Sequence, residues 1–425
     1  MTLPPANCEP RSLTLRCRWL VPMGSPPVEN AFVRLERGRI VAVGRRRESP
    51  SRDCVDLGDA IILPGLVNAH THLEFSSLDT PLAADGGLPR WIARVVAMRR
   101  ERAAHGDTVA AIRQGLAESA AAGVTTIGEI ATLADPHVYA GPGPRVRVYC
   151  EGLGIRTAAI EVVPRAIASS LDALAAAGTA TGIAPHAPYS VAAPLGRRLL
   201  DSARSRRIPV AMHLLESDAE AELLAHGTGP FRRLLEDLGA WDSTQPPQLL
   251  PAADWISRLA HARRGIVVHA THVGHDPAAL ARLARHRDRL AVAICPRTTR
   301  SLSGMLPPVP RLAAAGIRVA LGTDSRASNP DLSVLAECRT LVDAGLVTPA
   351  ESLRMATIHG AWALALDDHA GRILPGRPAD LIVLRPQASF TDPFAAAIDP
   401  GTPVVATLRR GRVIAGSLAE AAPSA

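Results

Sequence analysis

Asn68-Ala-His70-Thr-His72 places two imidazoles two residues apart. On an extended strand such side chains point to the same face, so both can reach one ion. The pair follows the apolar run Ile61-Ile-Leu-Pro-Gly-Leu-Val67, as the end of a buried strand would. His213 and Asp324 also follow short apolar runs, and they complete a nitrogen-rich set with one carboxylate. That set suits Zn²⁺ first and Fe²⁺ second, and suits Mg²⁺ or Ca²⁺ poorly. An ion in such a site lowers the pKa of a water from about 15.7 to about 7, which makes hydrolysis accessible at neutral pH.

Three further residues supply proton chemistry or substrate contact. Glu216 lies three residues after His213, where the strand must turn toward its helix, and a carboxyl there can pass a proton to a leaving nitrogen. Its neighbours Asp218, Glu220 and Glu222 read instead as acidic residues favoured at a helix start. His269 ends a strand and can orient or deprotonate an attacking water, while His272 and His275 read as loop residues. His186, in Pro185-His-Ala-Pro-Tyr-Ser190, is open to either ligation or substrate contact.

The elements that must position these residues follow a clear pattern. Candidate strands are Ile61–Val67, Val124–Ile130, Val146–Cys150, Gly182–Pro185, Val210–Met212, Gly265–Val268, Ala291–Ile294 and Arg318–Gly322. Eight short apolar strands separated by Ala/Leu/Arg-rich helical stretches predict a (β/α)8 TIM-type barrel. Most of these strands run into a polar residue: His70/His72, Glu129, Glu151, His186, His213, His269, Arg297 and Asp324. Active sites of this fold sit at the strands' carboxyl ends, where those residues would converge. Both chain ends differ from this middle. Ala31–Gly44, with a turn at Arg37-Gly38, reads as a hairpin, and Ala379–Leu384 and Val404–Ile414 read as strand-like, the second again with a turn at a glycine, Gly411.

Composition excludes several alternatives. Aromatics are 3% of 425 residues, which disfavours a base-stacking nucleic-acid surface. The net charge of +7 is spread over 47 basic and 40 acidic residues, so no nucleic-acid partner is expected. All 47 basic residues are arginine, which removes Schiff-base chemistry, the phosphate-binding Gly-Lys loop and carboxylated-lysine metal bridges. The six cysteines lack any Cys-x-x-Cys pair and read as reduced thiols. No apolar run is long enough to span a membrane, and Met1–Cys8 carries no secretory pattern, so a cytoplasmic protein is expected.

Several segments together resemble the amidohydrolase superfamily: Leu63–Leu73, His213-Leu-Leu-Glu216, Val268-His269, Leu321-Gly-Thr-Asp-Ser325 and Gly371–Leu381. The resemblance implies a barrel over residues 59–374 and a small β-sandwich built from both termini, 1–58 plus 375–425. The branch with His-x-x-Glu and no bridging lysine is the mononuclear deaminase branch, which hydrolyses an exocyclic amine off a heterocycle. It implies His70, His72, His213 and Asp324 as metal ligands. Glu216 and His269 would handle protons, Asp324 would also bond the water, and His186 would contact substrate.

Within the branch, His72-Leu-Glu-Phe-Ser76 looks most like deaminases of adenine-containing nucleosides, of the 6-aminodeoxyfutalosine, S-adenosylhomocysteine or methylthioadenosine type. The chain departs from many relatives at Ala270 and at Cys295-Pro-Arg-Thr-Thr299. A homo-oligomer, usually a dimer, is implied. Two other readings stay open: hydrolysis of another heterocycle (a guanine, pterin or triazine), or a catalytically silent binding module. The segment 227–262, with Phe231, Trp241 and Trp255, together with Trp91, is read as either a pocket wall or core.

Overall fold

Arg37-Gly38 and Arg410-Gly411 all take left-handed backbone, with φ of 47°, 72°, 50° and 74°. Two consecutive positive φ values make the tight turn whose twist matches a β-hairpin. In this computed structural model, which describes residues 12–49, 54–105, 108–244 and 246–421, the first turn joins β2 (Val28–Glu36) to β3 (Arg39–Arg45). The second joins the last two strands. Met1–Cys8, read above for a leader, lies outside the described residues.

The remaining strands at the amino end are β1 (Ser12–Leu20), β4 (Cys54–Asp56) and β5 (Ile61–Pro64). The barrel strands are β6 (Leu66–Thr71), β7 (Val124–Ala131), β8 (Arg145–Gly152), β9 (Ala180–Pro185), β10 (Val210–Leu214), β11 (Gly265–His269), β12 (Leu290–Ile294) and β13 (Arg318–Leu321). β14 (Leu381–Leu384), β15 (Val404–Arg409) and β16 (Arg412–Gly416) follow.

β6 to β13 pair in sequence order, all in parallel, as the eight-strand pattern predicts. The ring closes where the carbonyl of His70 accepts the amides of Thr323 and Asp324, both at 3.1 Å, and His72 N–H donates to the Asp324 carbonyl at 3.0 Å. Gly322 permits that approach, since a Cβ there would sit 2.7 Å from the His70 carbonyl oxygen. Small side chains (Ala69, Ala184, Ala211, Ala291, Ala293, Ala320) pack with Tyr149 in one core. Larger ones such as Val292, Ile294 and Leu290 form another with the covering helices. This is the period-2 division expected of barrel strands.

The other strands form a separate sheet from both termini, in the order β16-β15-β14-β5-β1-β2-β3, with β4 beside β1. It rolls back on itself, since Ile40 N–H donates to the Arg377 carbonyl and Ala379 N–H to the Gly38 carbonyl. Here the structure corrects one expectation. Ile61–Val67 is not one strand: Ile61–Pro64 pairs with β1 and β14, and only from Leu66 does the chain pair with β7. The crossing is at Gly65, where a Cβ would lie 2.1 Å from Thr125 Oγ1. Among the described residues, no helix is long and apolar enough to cross a membrane.

Candidate active site

β6 delivers His70 and His72 to the barrel mouth with their ring centroids 5.0 Å apart and nearly perpendicular. The ligand-capable atoms of His70, His213, His269 and Asp324 all lie within 4.8 Å of one another, and all four residues are buried. His72 stands at the edge of this group, its Nε2 3.3 Å from Nε2 of His213 and 3.7 Å from Oδ1 of Asp324. His70 Nε2 is 3.5 Å from the same carboxylate oxygen. The four residues expected as ligands and the expected water-orienting His269 therefore share one cluster.

The donor set fits a divalent transition ion. Both ring nitrogens of His70 and Nδ1 of His72 are buried without a hydrogen-bond partner among the described residues. Buried polar atoms are rarely left so, because the cost is about 1–3 kcal/mol each. Burial is the largest influence on every imidazole in the cluster. It holds His70 down to about 3 and pushes His72, His213 and His269 well below their usual range. Neutral rings present lone pairs to a cation rather than repelling it. His213 Nδ1 lies 2.9 Å from the carbonyl of His186, a bond that fixes its Nε2 toward the cluster.

The backbone at the mouth is held in unfavourable conformations. Leu215, His269, Ala270 and Asp324 have φ of 57°, 68°, 50° and 56°, a region costly for side chains that carry a Cβ. Each is tied down. Asn68 Nδ2 donates to Thr323 Oγ1 at 2.7 Å, Thr71 Oγ1 donates to the Asp324 carbonyl at 2.6 Å, and Ser328 Oγ donates to Oδ2 of Asp324.

Glu216 is half-buried, with Oε1 3.4 Å from Nε2 of His269. Burial, then the charges of Asp324 and Glu220, push its carboxyl well above the usual range. A cation in the cluster acts in the opposite sense.

His186 lies beside the cluster, its ring centroid 4.9 Å from that of His213. Its Nδ1 is 2.6 Å from Ser190 Oγ, and its Nε2 is 4.0 Å from Oε1 of Glu151. Burial pushes Glu151 up to about 7 and His186 down to about 3.

Two strand-end residues do not join the site. Glu129 is buried behind the His72 turn, where its carboxylate accepts the Leu73 amide. Arg297 turns away to make two bonds to Asp331, at 2.6 and 3.1 Å.

A cleft opens on either side of the cluster. One wing is lined by Thr298, Thr299, Asp218 and His272. The other is an apolar chamber of Trp91, Ile92, Val95, Phe231, Leu234 and Leu235, carried by the helices Gly87–His105 and Pro230–Asp237. Phe231 stacks on Tyr189 at 4.1 Å between centroids. Of the aromatics left open above, Trp91 and Phe231 are pocket wall. Trp255 is core, packed over Gly196. Trp241 lies under the Arg232 guanidinium.

The sequence reading missed Glu220. It is fully buried, and its carboxylate accepts the amides of Leu215 and Glu216, both at 2.9 Å. A signal was present: Ser217-Asp-Ala-Glu220 has the spacing of a capping box, in which the glutamate turns back on the preceding backbone.

A profile of the amidohydrolase family matches residues 61–414. A 5-methylthioadenosine/S-adenosylhomocysteine deaminase of Moorella thermoacetica is 29% identical, over 86% of this chain and 83% of its own. The structure of Helicobacter pylori aminofutalosine deaminase in complex with methylthio-coformycin superposes with a TM-score of 0.83 at 23% identity, covering 94% of this chain and 99% of that one. An adenosine deaminase from Xanthomonas campestris with bound zinc gives 0.76 at 25% identity, covering 94% and 92%.

Proposed function

This chain belongs to the amidohydrolase family, and we propose that it is a zinc-dependent aminohydrolase that removes the exocyclic amine of an adenine-bearing nucleoside. The observation that carries the reading is the buried His70/His213/His269/Asp324 cluster with Glu216 beside it, at the junction of a polar wing and an apolar chamber. His70, His72, His213 and Asp324 would hold the ion, and His269 would face the water. The relatives named as methylthioadenosine and S-adenosylhomocysteine deaminases support the substrate class.

The bound ion supplies Lewis acidity that makes a water nucleophilic near neutral pH. The protein supplies the rest. His269 and Asp324 orient the water and draw its proton away as its oxygen adds to the amine-bearing carbon. Glu216, whose carboxyl burial keeps inclined to hold a proton, donates to the adjacent ring nitrogen. The Glu216 carboxylate so formed takes the proton left on that oxygen to the amine, which leaves as ammonia while the carbon–oxygen bond becomes a carbonyl, and the proton drawn off by His269 and Asp324 returns to Glu216 across the 3.4 Å contact between His269 and Glu216. His186 and Ser190 border the chamber and contact the substrate.

Cys17, Cys150, Cys295 and Cys338 are buried free thiols, which supports a reducing, cytoplasmic setting. The test is ammonia release from a panel of 5′-methylthioadenosine, S-adenosylhomocysteine, 6-aminodeoxyfutalosine, guanine, a pterin and an aminotriazine. Release from adenine nucleosides alone is expected. Release only from another ring would move the function to that heterocycle.

A further inference from the structure

His272 precedes, and His275 ends, a single 3₁₀ turn, Val273–His275. That helix has three residues per turn, so residues three apart stand one above the other. The two rings accordingly meet edge to face, 5.6 Å apart. Asp218, the first residue of the helix Asp218–His226, reaches the same spot from the neighbouring loop, with Oδ1 2.7 Å from Nδ1 of His272. Each of Asp218, His272 and His275 offers a ligand atom within 4.8 Å of the other two. Tetrahedral zinc with bonds near 2.0–2.1 Å needs ligand atoms about 3.3 Å apart, so adjustments of about 1 Å assemble the site.

We propose that Asp218, His272 and His275 form a second divalent-cation site, separate from the catalytic cluster and on the rim of the cleft, that takes zinc or a similar borderline ion. Two nitrogens and one oxygen favour such an ion over magnesium or calcium. The scaffold is built in advance: His272 N–H donates to the Leu215 carbonyl at 2.8 Å, locking the two loops together. His272 is buried and holds its ring in place, while Asp218 and His275 are exposed, so an ion can arrive from solvent and retain water. Asp276, the remaining carboxylate on this loop, is occupied capping the next helix through the Ala279 amide. Burial holds the His272 imidazole below its usual range against the opposing pull of Asp218, which leaves it neutral and able to ligate.

Asp218 and His272 line the same wing of the cleft as Glu216 and His269. An ion there narrows the polar entrance, so excess zinc inhibits by obstruction. The test is equilibrium dialysis of the full-length enzyme against rising free zinc, with metal counted per chain, on wild type, His275→Ala and Asp218→Asn. Two equivalents are expected in wild type and one in each variant. Wild-type turnover is expected to fall as the second equivalent binds, and His275→Ala, with the same basal turnover, to resist that fall. A single equivalent in wild type throughout, or two retained in both variants, would overturn the proposal.

Discussion

Oε2 of Glu220 accepts the backbone amide of Glu216 at 2.9 Å, and Oε1 accepts that of Leu215 at the same distance. The two bonds hold a turn in which Leu215 has φ of 57°, and so set the direction in which the Glu216 side chain leaves the backbone. A carboxylate accepting two N–H groups is charge-assisted on both oxygens. In Glu220→Gln one oxygen becomes an NH₂ group that faces an N–H. We expect kcat to fall on the order of tenfold to a hundredfold, as misplacement of a reacting group does. Metal content should stay at the wild-type value, and steady-state kinetics with metal analysis would separate lost positioning from a lost ion.

The apolar chamber makes a statement about substrate. Half-buried Ile92 lines it with Trp91 and Val95. Each buried methylene contributes about 0.8 kcal/mol. 5′-Methylthioadenosine should therefore exceed adenosine in kcat/KM by about tenfold, which corresponds to roughly 1.4 kcal/mol. Ile92→Ala should narrow that ratio, and a ratio unchanged by the variant would place the substituent elsewhere.

His213 donates through Nδ1 to a carbonyl and presents Nε2 to the cluster. His213→Ala should lose both metal and turnover. Chelation of the wild type should lower its Tm, since ligand at a hundred times Kd stabilises by about 2.7 kcal/mol. Calorimetry with and without zinc measures this, and a Tm indifferent to chelation would argue against a resident ion.

Glu337 is fully buried, accepting from Asn329 Nδ2 at 2.6 Å and from the Arg297 amide at 2.9 Å. Burial still wins and pushes its carboxyl from 4.5 up to about 7. Between those values the folded protein binds more protons at this group than the unfolded chain does. Its contribution is therefore fully present at low pH and is lost as pH rises through 7. Glu337→Gln removes this slope, so the Tm difference between wild type and variant should shrink from pH 5 to pH 8.

What the chain discloses in advance is whatever has a short period or a fixed spacing. His70 and His72 were legible because strand geometry puts residues two apart on one face, and the two hairpins because a glycine marks each turn. The eight barrel strands were legible as apolar runs ending in polar residues. The division of 61–71 between two sheets was harder to see, because Pro64-Gly65 interrupts a run whose two halves are equally apolar. Nor does composition distinguish Glu220 from Asp218 or Glu222 on the same helix, since the difference is which side faces the barrel. Arg297 follows an apolar run as His269 does, yet it lies in the first turn of the helix Pro296–Ser303, and Asp331, 34 residues later, draws it away.

In the proposed function Glu216 moves protons beside an ion held by other residues. The most direct test of this role is zinc content measured together with ammonia release from 5′-methylthioadenosine, for wild type and Glu216→Gln. One zinc firmly held in both proteins, with turnover reduced by about 10²–10⁴ in the variant, is the expected result. Zinc lost from the variant along with activity, or turnover unchanged, would contradict it.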